Sequence, residues 1–221
     1  MQVTIDETAL ETGAEKVVHL FGVTAAGADA ILRALPDGRG ARLAYDFDTR
    51  TLEIMAPSVE HDGDARIIDA LFVIIGSECN IEIENRGSTT LKRTKPWAEP
   101  DSCFFIGDNA RAIRGVKRLD LKRDPPPDIV VEIDIRRARF DKRVLYAKIG
   151  SPEFWRYDGK TLIFYEVQRG EYVETTTSRA FRWLTAGDVQ RFIEMASQKG
   201  QNATVNAWRQ WLRETMSRVS K

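Results

Sequence analysis

Residues 125–147 read PPPDIVVEIDIRRARFDKRVLYA, and this stretch limits the fold more than any other. Three consecutive prolines fit neither a helix interior nor a central strand, so they mark a break. The β-branched run behind them reads as an extended strand. Its side chains alternate: Ile129, Val131, Ile133 and Ile135 share one face, and Asp128, Val130, Glu132 and Asp134 share the other. The apolar face belongs on a core. The acidic face must be solvated, paired or holding a cation, because an isolated buried carboxylate is costly or takes up a proton.

Spacing narrows that choice. At a strand rise of about 3.3 Å, Glu132 and Asp134 stand roughly 7 Å apart at Cα, and Asp128 and Glu132 about 13 Å. Asp128 is thus a poor partner for a cation at Glu132 and is better used in capping the turn after the prolines. An acid on an adjacent strand converges more easily, and Asp101, at the head of DSCFFI, is best placed by chain order. Mg²⁺ is usually held by one or two carboxylates with waters and substrate phosphate. In the helix expected at about 139–149, Lys142 and Tyr146 are one turn apart and face the same way. If that helix crosses back over the strand end, the Lys142 ammonium reaches the acidic face, where it can orient a water and stabilise charge on a phosphate. The alternative is a surface Lys142 paired with Asp141 or a distant acid.

The rest of the chain predicts an α+β or mixed α/β domain around one central sheet. Thr24 caps a helix over 24–35, and RLAYDFDTRTLEIMAP reads as a hairpin. A second helix starts after Ser58, with Glu60, Asp62 and Asp64 at its positive end. IEIEN and TTLKR read as a strand pair turning at Gly87, and 107–124 as a charged loop with room for a short strand. Three strands follow the helix at 139–149, and two amphipathic helices from Ala186 close the chain. Their Trp208, Trp211 and Leu212 suit burial on the domain or on a second copy, which makes a homodimer an expectation.

Thirty-three basic residues balance thirty-three acidic ones, so any binding to nucleic acid must be local. Two basic runs qualify: Arg136, Arg137, Arg139, Lys142 and Arg143, and Arg111, Arg114, Lys117, Arg118, Lys122 and Arg123. Charge runs are more often solvated faces. The longest apolar run, near Ala70–Ile75, is too short for a membrane span, and the N-terminus lacks a secretory pattern. Cys79 and Cys103 have no metal or paired-thiol spacing, so both read as core residues in a reducing cytoplasm.

LEIMAPSVEH, GSTTLKR, EPDSCFFI, PPPDIVVEIDI, the Lys142/Tyr146 pair and GSPEFWRYDGKTLIFYEV occur in the order found in the Uma-two family of restriction-endonuclease-like proteins, which this chain resembles over about residues 18–175. The resemblance implies a central mixed β-sheet flanked by helices over residues 1–185, with 186–221 as a helical extension. It implies a divalent metal, Mg²⁺ or Mn²⁺, at Asp101 and Glu132, with Asp134 as an extra ligand or a solvated acid, and Lys142 in place of the usual strand lysine. Glu60, His61 and Tyr146 would line the cleft, although His61 reads equally well as a helix-capping or core-edge residue. Asp134 stands where a standard nuclease strand carries Lys. Arg136, Arg137 and Arg139 replace a Ser/Thr-rich segment and would contact phosphates.

Two functions compete, beside a homo-oligomeric structural protein assembled through the aromatic C-terminal helix. One is a metal-dependent endonuclease hydrolysing DNA. The other is a catalytically inactive module that binds nucleic acid or a protein partner on the same scaffold.

Overall fold

The computed structural model describes residues 2–5, 16–35, 40–93, 95–134 and 141–219. In chain order the elements are β1 (Gln2–Ile5), β2 (Lys16–Phe21), α1 (Ala25–Ala34), β3 (Arg42–Asp46), β4 (Thr51–Ala56), α2 (Val59–Cys79), β5 (Ile83–Asn85), β6 (Leu91–Lys92), β7 (Trp97–Ala98), β8 (Ser102–Ile106) and α3 (Asp108–Ile113). There follow β9 (Ile129–Ile133), α4 (Lys142–Ile149), β10 (Glu153–Tyr157), β11 (Leu162–Gln168), β12 (Glu171–Thr175), α5 (Ala186–Lys199) and α6 (Gln201–Val219).

The strands form two six-stranded sheets instead of one. The first, in the order β1-β2-β4-β3-β7-β6, is wholly antiparallel. The second, β12-β11-β10-β9-β8-β5, is the expected central mixed sheet, with β9 and β10 parallel and the other neighbours antiparallel. A parallel pair needs a crossover, and α4 supplies it. This fixes the start of α4 beside the carboxyl end of β9.

Both faces of the mixed sheet are covered. Ile129, Val131 and Ile133 pack with Phe72 of α2, Phe192 of α5 and Trp208 of α6. Val130, on the opposite face, packs with Leu145, Tyr146 and Ile149 of α4 and with Ala44 and Ala98 of the first sheet. The outer face of the first sheet, Leu43, Tyr45 and Leu52, lies under α1. Trp208 and Leu212 are therefore buried inside this chain, and they do not form a surface for a second copy.

The expected strand pair turning at Gly87 does not form. Gly87 does turn, at a φ of 52°, with its N–H bonded to Asn85 Oδ1, but β5 pairs with β8 and β6 with β7 in the other sheet. The segment read as a charged loop contains α3, whose Ala110 and Ile113 are buried. Ser58 and Thr24 cap their helices as expected, each accepting a backbone N–H three residues on.

Gly150 ends α4 at a φ of 99°, and a Cβ there would stand 2.8 Å from Arg93 Nη1. The arginine tip can swing away; the backbone conformation cannot change without moving β10. Gly150→Ala is expected to lower stability by about 1–2 kcal/mol, the cost of a left-handed conformation for an L side chain. Urea denaturation checks this as a lower midpoint at unchanged slope.

Candidate active site

The site is built where β9 ends and α4 begins. Glu132 shares the Val130 face of β9, so it points under α4 and is 1% exposed. Asp141 caps α4 by accepting the Arg143 N–H, which sets Lys142 in the first turn and Tyr146 one turn later. Both reach Glu132: Lys142 Nζ donates to Oε2 at 2.9 Å, and Tyr146 Oη donates to Oε1. Lys142, 7% exposed, is thus a buried ammonium and not a surface residue paired with Asp141.

Asp101 arrives from the neighbouring strand. Ser102 pairs with Val131, so Asp101 falls beside Glu132 and Ile133. Its Oδ2 accepts the Ile133 N–H at 2.8 Å and lies 3.2 Å from His61 Nε2. Its Oδ1 is buried, stands 3.6 Å from Arg42 Nε and accepts no hydrogen bond among the described residues. His61 is fully buried in the first turn of α2, whereas Glu60 next to it is exposed.

Residues the sequence reading did not single out complete the cluster. Glu53 Oε1 stands 3.3 Å from Lys142 Nζ, and its Oε2 is 2.9 Å from Nε2 of His19, its cross-strand partner on β2. A continuous chain of contacts therefore runs Tyr146, Glu132, Lys142, Glu53, His19. The available signal was alternation: Glu53 lies between Leu52 and Ile54, on the face opposite the one under α1. That face normally means solvent. Here it is closed by the second sheet and α4.

Asp134 is held by Arg156, Nε to Oδ2 at 3.0 Å, and contributes negative charge near Glu132. Asp128 is used structurally: Oδ2 accepts the Ile106 N–H at 2.7 Å and Oδ1 accepts from Asn109. It ties β9 to β8 and α3, a longer reach than capping its own turn. Arg136, Arg137 and Arg139 lie outside the described residues.

Burial governs the electrostatics. It pushes the Glu132 carboxyl up to about 8: Lys142 opposes the rise, and Asp101 and Asp134 add to it. Burial also works against the Lys142 charge, but Glu132 and Glu53 outweigh it and hold the ammonium well above its usual range. Glu53 experiences the same burial, yet Lys142 and His19 keep it below the ordinary carboxylate value. The centre is a cluster of acids gathered around the buried Lys142 ammonium, with Arg42 and Arg156 at its margin. Among the described residues no three His, Cys, Asp or Glu side chains stand together as a ready metal cage. Two carboxylates on adjacent strands, one with an oxygen that accepts no hydrogen bond among the described residues, still fit the way Mg²⁺ is commonly bound.

A mixed sheet with acids on adjacent strands and a crossover helix is the arrangement of restriction-endonuclease-like proteins. A solved structure described as "a putative nuclease belonging to DUF820 from Anabaena variabilis ATCC 29413" shares this fold, with a TM-score of 0.51 and 15% identity, over 75% of this chain and 98% of its own. The model of the Uma2 family, "Putative restriction endonuclease", matches residues 30–204, and the chain belongs to that family. No curated protein matches. Among the described residues no helix is long and apolar enough to cross a membrane.

Proposed function

We propose that this protein is a divalent-metal-dependent nuclease that hydrolyses phosphodiester bonds in DNA. The observation that carries the reading is the buried pair Asp101 and Glu132 on adjacent strands, with Asp101 Oδ1 left without a hydrogen bond among the described residues. Oxygen donors of this kind suit Mg²⁺ or Mn²⁺. Bound there, such an ion would polarise the phosphate and lower the pKa of a water. The chain's own groups do the rest. Lys142 supplies fixed positive charge next to Glu132, Tyr146 fixes the other oxygen of that carboxylate, and Glu53 holds the ammonium from its far side. These groups hold one another in place before a substrate arrives, and such preorganisation is where much electrostatic catalysis comes from. Asp134 adds negative charge, and Arg136, Arg137 and Arg139 are assigned to phosphate contacts.

The test is nicking of supercoiled plasmid in Mg²⁺ and in Mn²⁺ by the wild type and by Glu132→Ala. Loss of one group that stabilises transition-state charge typically costs about 10²–10³ in rate, so the variant is expected to fall at least that far. Circular dichroism shows whether it remains folded. Equal nicking by both proteins, or none by the wild type in either metal, overturns the reading.

One observation favours a catalytically silent binding module. Both Glu132 oxygens are already occupied by Lys142 and Tyr146, so the carboxylate is satisfied within the protein. DNA binding without cleavage in either metal would select that alternative.

A further inference from the structure

The basic run from Arg111 to Arg123 plays no part in the candidate active site, and the structure divides it in two. Arg111 pairs with Asp108, and Arg114 with Glu82 ahead of β5. Lys117, Arg118 and Lys122 instead line a groove of about 1140 Å³, together with residues from α1 and from the segment 89–95. Eight lining residues are Lys or Arg, against two aspartates, Asp29 and Asp120. Lys92 and Arg123 already neutralise those two. Arg33, Arg93, Lys117, Arg118 and Lys122 are exposed and form no ion pair among the described residues. In a chain of zero formal net charge, this is a strong local concentration of positive charge.

We infer that this groove binds the phosphate backbone of duplex DNA. The inference rests on the proposed DNA-directed function and adds a second contact surface to it. Three features select the ligand class. The surface is concave, so a flat anionic bilayer would not reach its floor. Its cations sit on flexible stems from three separate segments, a distribution suited to a row of phosphates rather than to one small anion. Among the described residues the five exposed cations have no acid paired with them, as expected where counterion release drives binding.

Position supports a joint role. Arg93 approaches Gly150 at the end of α4, and Lys142 starts the same helix. Eight residues of helix span about 12 Å. That equals roughly three to four base pairs of duplex at about 3.4 Å each.

The experiment is fluorescence anisotropy with a labelled 20-base-pair DNA duplex, in EDTA, across a salt series. The variant is the triple Lys117→Gln, Arg118→Gln, Lys122→Gln. A charge-matched control is the triple Lys160→Gln, Lys199→Gln, Arg218→Gln, on exposed positions outside the groove. Three lost phosphate contacts are expected to lower the slope of log K against log salt by about three and to weaken binding at least about tenfold near 0.1 M salt. The control is expected to stay within about twofold of the wild type, and all three proteins to melt together, since every replaced side chain is exposed. Equal weakening in both triples, no weakening in the groove triple, or no binding by the wild type near 50 mM salt overturns the inference. EDTA separates this test from the nuclease reading. Binding lost through the groove triple while the wild type never nicks plasmid removes only the catalytic proposal, and nicking that survives with the groove triple binding normally removes only the groove.

Discussion

Lys142→Met is expected to cost the fold about 3–5 kcal/mol near pH 8, because breaking a buried ion pair strands the charges left behind. Here two carboxylates, Glu132 and Glu53, lose the same ammonium. The sign of the pH dependence follows. Without Lys142, Glu53 loses the main influence holding it below its ordinary 4.5, and Glu132, already raised to about 8, rises further. A carboxyl with a raised folded pKa binds more protons folded than unfolded, so stability falls as pH climbs from about 4.5 through the folded value. The deficit relative to wild type should therefore widen from pH 5 to pH 8. Urea midpoints at both pH values measure it, and adding Glu53→Gln to the variant should restore part of the loss. A deficit independent of pH would show that the ammonium is not what neutralises these acids.

Trp208→Ala is expected to cost a similar amount, about 3–5 kcal/mol, through a different mechanism. The indole is fully buried, lies 4.8 Å from the rings of both Phe192 and Trp211, and donates from Nε1 to the Leu71 carbonyl at 3.0 Å. Truncation leaves a cavity between α2, α5 and α6. For a chain of this size the melting temperature should drop by roughly 10 °C. The damage lies on the opposite face of β9 from Glu132, so Mn²⁺ affinity at the proposed site should be equal in the variant and the wild type wherever the variant is folded. Scanning calorimetry reads the first effect, and Mn²⁺ titration at low temperature the second.

How far the sequence could reveal this site depended on locality. Glu132 and its facing were readable from strand alternation, and the joint facing of Lys142 and Tyr146 from helical spacing, because both depend only on neighbours in the chain. Asp101 could be placed by order along the chain, since β8 and β9 are adjacent strands. Glu53, His19 and Arg42 were not readable. Their burial arises from packing one sheet on another, and nothing near Glu53 in sequence distinguishes a strand face open to water from one closed by a distant helix. The same limit explains the lost hairpin at Gly87: the glycine specifies a turn, but the partners of β5 and β6 are chosen by two different sheets. The short α3 was missed because its charged residues hide two buried apolar positions, Ala110 and Ile113, that sit three apart.

The central position of β9 also determines the order in which the molecule can come apart. Among the described residues β12 and β6 are edge strands with one side unpaired, and they can fray without disturbing their neighbours' inner bonds. β9 is bonded on both sides and covered on both faces, so it opens only with the sheet as a whole. Glu132 is thus carried by the most persistent segment of the chain, and the charge cluster should outlast the loosening of the molecule's periphery.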